Sequence, residues 1–402
     1  MRLKKAWLSI PVEDFMRRGG IDRAGTAYLQ FSAFRTDRIL EVTREEDGNF
    51  RKAAEEVFAA LAATAGEIIR KNDYEVLGIP KALGPVIERS YKEGETIIIT
   101  RFDATYPDLG GLQIIEANTF YVGMIAEMDV VHGFLRVLMR PDLGQPPIIR
   151  NYLTEVIPRI INHAKGRPVF YPNTPTGEDP KGNDLDKIFL ESVTTSNGES
   201  LKLETAFDHN LQAVLALRHD LGGKHGLSSQ EIASIMAYEP SLLHYFDDTH
   251  YMTPPAWAAL LDNKGVFAYM HRLYGGSIKH APATSFRESD YGRDGPLACW
   301  RYYVRKPVNK SNCIGVELHD AERLKQDGRS DRGEEEKAIF QAFRPTRPIQ
   351  STEQEDRDIN ILVRPFLVGG RPDGKVNVAT IGYCGGRAVI GVGKNLVHYV
   401  TG

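Results

Sequence analysis

Apolar residues in this chain recur with two different periods, and the places where one period gives way to the other mark the elements it predicts. Between Phe50 and Arg70, alanine, leucine and glutamate fall at helical spacing with Val57, Leu61 and Ile68 on one stripe, so the segment reads as a packed helix. Leu77-Gly78-Ile79-Pro80 breaks the pattern. Thr96-Ile97-Ile98-Ile99-Thr100 is a β-branched run, Pro107 to Gly111 is turn chemistry and Leu112 to Glu116 returns, which together predict a hairpin. Helical periods follow over Ile125 to Met139, ended by Pro141, and over Ile148 to His163. From Arg167 the texture shortens to strands at Pro168–Tyr171 and Lys187–Leu190, with a helix at Ser228–Ala237. A helix over Gly265–Leu273, a strand over Tyr302–Pro307 and an apolar strand over Ala338–Phe343 complete the pattern. The charged stretch from Arg323 to Lys337 is expected to be a mobile surface loop.

This alternation predicts an α/β (α+β) fold with mixed and antiparallel sheets. At 402 residues the chain is long enough for about two or three domains, with 42% hydrophobic residues to fill their cores. The expected division is a helical region plus hairpin over 1–145, a small α/β unit over 146–250 and a third unit over 251–402. A net charge of -3 gives no basic face for nucleic acid or an anionic membrane. No run approaches the roughly 20 apolar residues of a membrane span. Cys299, Cys313 and Cys384 stand far apart without metal spacing and suit a reducing compartment, so a cytoplasmic protein is expected.

The hairpin carries the most chemistry. Arg101-Phe102-Asp103 and Glu116-Ala117-Asn118 place oxygen donors at the ends of two adjacent strands. Residues two apart on a strand share a face, so Glu116 and Asn118 can reach one ion together and Asp103 can meet them across the turn. Magnesium takes oxygen ligands, usually one or two protein carboxylates, and leaves the rest of its octahedron to water and phosphate. The same residues also suit a plain hairpin with polar residues at its exposed end. Downstream, Lys306 ends a strand beside a loop containing Asn309, Lys310, Ser311 and Asn312, a workable phosphate cradle. Lys264 opens a helix, where free amides favour phosphate. The amide of Gln341 could pair with an adenine edge. A solvated strand end is the blander alternative for both Lys306 and Gln341. His132, His280 and His398 form no pair at metal-ligand spacing, Glu127 is as readily a solvated charge as a substrate contact, and Trp257 and Trp300 read as packing residues.

In order along the chain, these motifs resemble the synthetase domain of glutathionylspermidine synthases, a branch of the ATP-grasp carboxylate-amine ligases. The likeness runs from about Leu77 to the end and includes Leu77-Gly78-Ile79-Pro80, Ile87-Glu88-Arg89-Ser90-Tyr91, Arg101-Phe102-Asp103 and Glu116-Ala117-Asn118. It continues through Pro254-Pro255-Ala256-Trp257 with Asn263-Lys264, Val304-Arg305-Lys306-Pro307, Phe340-Gln341 and Phe366 to His398. The resemblance implies an ATP-grasp-like fold whose sheets enclose a nucleotide site, with the loop 323–337 as a lid. It implies two magnesium ions on Asp103, Glu116 and Asn118, and ATP held by Lys264, Lys306, Asn312, Gln341 and the backbone near Phe343. Arg101 would act on the substrate carboxylate. The product would be an amide formed through an acyl phosphate from a small carboxylate and an amine, peptide or amino-acid-like.

The chain departs from the family pattern in places that bear on substrate. Thr119-Phe120-Tyr121-Val122-Gly123 follows Asn118 where the family has a threonine-proline-threonine turn, so specificity for glutathione is not expected. Ser311 and Cys313 stand where the family's phosphate loop has an arginine and a glycine. The family's catalytic arginine in the closing strands has only Arg371 and Arg387 as nearby candidates. No amidase domain of the bifunctional members is expected. Two other readings stay open: a degenerate ATP-grasp protein that binds nucleotide or a partner without catalysis, and an ATP-grasp kinase.

Overall fold

The long helix begins six residues earlier than its apolar stripe, because Thr43 starts it. Thr43 Oγ1 accepts the Glu46 amide at 3.1 Å while the Glu46 carboxylate accepts the Thr43 amide at 3.0 Å, a reciprocal cap. The helix spans Arg44–Lys71, with Glu45, Glu46 and Asp47 in its first turn and Arg70 and Lys71 in its last, each sign matched to the helix dipole. It stops at Asn72, which adopts the left-handed conformation at φ 57°. Val57, Leu61 and Ile68 are fully buried, as the periodicity requires.

The computed structural model describes residues 1–5, 34–106, 111–120, 125, 149–172, 185–206, 227–247, 249–308, 316–322, 337–343, 350–351, 360–386 and 394–401. The predicted helix over Ile125–Met139, apart from Ile125, and the loop 323–337, apart from Lys337, lie outside these residues, as do Glu127 and His132.

The main sheet draws strands from both ends of the chain. Its spatial order is Gln350–Ser351, Arg2–Lys5, Phe34–Thr43, Lys394–Thr401, Val378–Gly386, Asn360–Gly370, Ile97–Thr105 and Gln113–Asn118. The pairings are antiparallel except at Gln350–Ser351 with Arg2–Lys5 and at Phe34–Thr43 with Lys394–Thr401, which are parallel. The helix Arg44–Lys71 packs on one face and the helix Ile149–Ala164 on the other, giving two apolar cores separated by the sheet. A four-stranded antiparallel sheet orders Glu317–Asp320, Tyr302–Pro307, Ala338–Ala342 and Thr284–Ser285. A parallel sheet of Leu203–Ala206, Val169–Pro172 and Tyr251–Met252 completes the architecture.

The predicted hairpin and the helices near 148–163, 228–237 and 265–273 are present as Ile97–Thr105 with Gln113–Asn118, Ile149–Ala164, Ser229–Tyr238 and Gly265–Tyr274. The expected strand at Lys187–Leu190 is instead part of a helix, Leu185–Glu191. Three consecutive apolar residues fit either element by pattern alone. Here the helix is favoured by the Lys187–Glu191 ion pair at 2.9 Å, one turn apart, and by Phe189 and Leu190 entering the core beside Ile149–Ala164. Trp257 is fully buried and its indole donates to the Glu95 carbonyl at 2.8 Å, the packing role expected of it.

Candidate functional site

Strand alternation decides which side chains reach the site. Ile99, Phe366 and Val368 face the Ile149–Ala164 core. Two and four residues beyond Ile99 on the same pleated face stand Arg101 and Asp103. The register sets Arg101 opposite Phe366 in the neighbouring strand, which brings Arg364 beside Asp103. On the other flank, Arg101 pairs with Asn118 and Asp103 with Glu116. Four of the predicted residues and Arg364 therefore share one face, while Phe102, Ala104, Ala117 and Leu367 fill the core behind them.

The contacts are ionic. Arg101 Nη2 lies 3.4 Å from Asp103 Oδ2, Arg364 Nε lies 3.3 Å from Asp103 Oδ1, and Asn118 Nδ2 donates to Asp103 Oδ2 at 3.3 Å. Burial alone would raise the Asp103 pKa. The two guanidiniums outweigh it, so the carboxyl sits below the usual carboxylate value and stays ionised. Glu116 Oε1 is 3.1 Å from Lys264 Nζ.

A bulge supplies the next contact. The register passes from Asp103–Glu116 to Ala104–Ile114, leaving Ile115 as an extra residue, and its carbonyl accepts Lys306 Nζ at 3.1 Å. The same ammonium donates to Gln341 Oε1 at 2.7 Å. Lys264 and Lys306 are buried, 8% and 6% exposed, so neither is a solvated strand-end lysine. Both therefore converge on Ile115–Glu116, and their elements are tied where the Lys264 amide donates to Val308 at 3.3 Å.

Two residues at the site were not singled out by the sequence. Arg364 stands mid-strand in Asn360–Gly370, and a lone arginine within an apolar run was its signal. It stands in the closing strands beside Asp103, where the sequence candidates for an arginine were Arg371 and Arg387. Arg371 faces Asp373 at 3.6 Å, and Arg387 lies outside the described residues. Asp262 is the other. Its carboxylate accepts the amides of Thr119 at 2.6 Å and Phe120 at 3.1 Å and the Thr119 hydroxyl at 3.2 Å, fixing the chain as it leaves Asn118. Burial pushes the Asp262 pKa up, opposed by those two amides.

Of the remaining predicted residues, Gln341 is buried and directs its oxygen to Lys306, and the Phe343 amide donates to the Tyr302 carbonyl at 2.9 Å. Asn312 lies outside the described residues. His280 Nδ1 is 3.1 Å from the Leu112 carbonyl, a structural contact at the edge of the hairpin.

Among the described residues no three His, Cys, Asp or Glu side chains gather as a cation cage. The donor set at the hairpin is two carboxylates and an amide, which suits magnesium sharing its shell with phosphate oxygens. Asp103 Oδ1 is buried and makes no hydrogen bond, its contact with Arg364 being electrostatic, so an oxygen is available to an ion. Cations outnumber carboxylates here, with Arg101, Arg364, Lys264 and Lys306 against Asp103, Glu116 and Asp262. The arrangement suits an anion that arrives with its own metal.

The sequence model of the family described as glutathionylspermidine synthase preATP-grasp matches residues 18–374. No curated protein matches the chain in sequence. Among solved structures, a glutathione synthetase-like effector from Globodera pallida in its apo form is similar at a TM-score of 0.52 and 12% identity, covering 90% of this chain and 89% of that one. At that identity the likeness speaks for the fold alone. A putative gamma-glutamylcysteine synthetase from Methylobacillus flagellatus KT also matches, at 10% identity over 82% of each chain, but its TM-score of 0.34 supports no argument.

Proposed function

This chain belongs to the glutathionylspermidine synthase preATP-grasp family, and on that premise we propose that it is an ATP- and Mg²⁺-dependent ligase joining a small carboxylate to an amine. Its fold is mixed α/β and ATP-grasp-like. The observation that carries the reading is the convergence of Arg101 and Arg364 on Asp103, of Lys264 on Glu116 and of Lys306 on the adjacent Ile115 carbonyl, around the donor set of Asp103, Glu116 and Asn118.

Magnesium on Asp103, Glu116 and Asn118 would neutralise charge on the β- and γ-phosphates of ATP. Lys264 and Lys306 would exchange Glu116 and the Ile115 carbonyl for phosphate oxygens. Gln341 holds the Lys306 ammonium in place and, with the backbone near Phe343, would border the adenine. Asn312 would belong to the phosphate loop. Arg101 and Arg364 would hold the substrate carboxylate and the moving phosphoryl group by planar contacts that lysine cannot copy. A carboxylate oxygen attacks the γ-phosphorus and ADP leaves. The amine nitrogen then attacks the acyl carbon, phosphate leaves, and the nitrogen loses a proton to give the amide. The family's known acceptor chemistry points to peptide or amino-acid-like substrates, and the altered turn at Thr119-Phe120, held by Asp262, argues against glutathione as the specific one.

No helix among the described residues is long and apolar enough to cross a membrane. The test is ADP release across a panel of carboxylate and amine pairs, run in parallel with hydroxylamine. Carboxylate-dependent ADP release with hydroxamate formation supports the ligase. A stable phosphorylated product would establish the kinase reading instead, and no turnover by protein that binds nucleotide would establish the degenerate one.

A further inference from the structure

Asp262 ends a short helix, Ala258–Asp262, that lies against the strand carrying Glu116 and Asn118. The donors that hold its carboxylate all meet one oxygen. Oδ1 accepts the Thr119 amide at 2.6 Å and the Phe120 amide at 3.1 Å, with the Thr119 hydroxyl, shared with the Ala258 carbonyl, at 3.2 Å. Oδ2 takes none of the three, and the residue is partly exposed. Two consecutive amides aimed at one point form an anion-binding concavity, the kind that receives the carboxylate or phosphate of a ligand. Here the chain itself supplies the anion. The position is otherwise a poor one for a charge: burial raises the Asp262 pKa and Glu116 adds to the rise, while the two amides and Lys264 oppose them. The amides are therefore what keeps a carboxylate in this place.

The concavity borders the donor set. Thr119 follows Asn118 directly, and Asp262 stands two residues before Lys264, which reaches Glu116. The Thr119 and Phe120 side chains are buried, Phe120 edge-on against Tyr245 with ring centres 6.3 Å apart, so what this turn can offer a ligand is its two amides. Asp262 covers both. We propose that Asp262 is a specificity-determining residue: it fills a carboxylate pocket made by the Thr119 and Phe120 amides and so bars from the site any acid that carries a second carboxylate there. The bar has two parts, because the amides are taken and the outer oxygen of Asp262 repels a like charge brought beside it. The accepted acid then has one carboxylate, the one to be activated, and presents a neutral or cationic group to Asp262. This consequence rests on the ligase reading, whereas the pocket itself is tested by binding without turnover.

The experiment is thermal unfolding of the full chain, as wild type, Asp262→Ala and Asp262→Asn, titrated with sodium formate against sodium chloride of equal ionic strength. Asp262→Ala empties the pocket, whereas Asp262→Asn keeps an oxygen on the amides. Formate should raise the melting temperature of Asp262→Ala saturably, by about 2 °C, and leave the other two proteins as chloride does. Should Asp262→Ala fail to fold, Asp262→Ser, which also leaves room for the anion, takes its place with the same expectation. For any acid that supports ADP release, the same acid with a second carboxylate is then compared by kcat/KM, and emptying the pocket should improve the doubly charged acid relative to the singly charged one by about tenfold. A folded, emptied variant that responds to formate no more than the wild type would overturn the pocket. Formate binding with acid preference unchanged would overturn its role in specificity. Absence of turnover with every acid would count against the ligase reading and leave the formate result to decide the pocket.

Discussion

The hairpin cluster and the histidine pair His244 and His250 are both buried and polar, yet they treat their polar groups in opposite ways. At the hairpin each carboxylate already has a cation, Asp103 between Arg101 and Arg364 and Glu116 on Lys264. At the histidine pair, His244 Nε2 and His250 Nε2 have no hydrogen-bond partner. The first arrangement holds itself in shape and, under the ligase reading, exchanges partners when an anion and its metal arrive. The second keeps its unpaired nitrogens closed off by packing. Satisfied charge therefore suits a cluster that can exchange partners, and unpaired neutral polarity marks a place where packing outweighs a lost hydrogen bond.

The comparison is broken most severely at Asp103. Asp103→Ala leaves Arg101 and Arg364 facing each other across a buried gap, and unpairing a buried charge costs about 3–5 kcal/mol. Urea unfolding should register that loss, and a change below about 1 kcal/mol would mean the cluster is solvated.

Acid separates the two regions next. The His244 pKa is lowered from 6.5 to about 4, so between those values the unfolded chain binds the proton and the folded chain does not. Stability then falls as pH drops from 6.5 towards 4, by about 3 kcal/mol, and is complete above that window. Asp103 behaves differently: its lowered pKa contributes stability that is present above 3.8 and lost only as pH falls below it. His244→Gln should flatten the unfolding profile between pH 4 and 6.5 and leave the steeper acid limb in place.

Arg364→Lys keeps the charge but loses the planar fork. Under the ligase reading, turnover should drop by about thirtyfold, or about 2 kcal/mol, with little change in melting temperature. The smallest effect belongs to Asp262→Asn, which keeps an acceptor for Thr119 and Phe120 but removes the charge. It should cost about 1 kcal/mol of stability and a few-fold in turnover. An Asp262 variant as damaging as Asp103→Ala would show that the turn after Asn118, rather than the ionic cluster, governs the site.

Much of the hairpin was legible because its signals are local. A β-branched run, turn residues and period-two spacing put Asp103, Glu116 and Asn118 on one face before any tertiary contact is considered. Arg364 was hidden because its neighbour lies far away in the chain and is joined to it only by strand pairing. The bulge at Ile115, which gives Lys306 its carbonyl, depends on a one-residue slip that composition does not encode. Lys187–Leu190 misled because a three-residue apolar run has no period to read. The histidine pair was invisible for a further reason. A histidine's burial and the fate of each ring nitrogen arise only when separate elements pack around it.

The central claim is that Asp103, Glu116 and Asn118 hold magnesium for a nucleotide clamped by Lys264 and Lys306. Calorimetric titration of a non-hydrolysable ATP analogue, with Mg²⁺ or with EDTA, on the wild type and on Asp103→Asn tests it most directly. The account predicts binding that requires Mg²⁺ and weakens by about tenfold or more in the folded variant. Binding of equal strength in EDTA, or undiminished in Asp103→Asn, would contradict it.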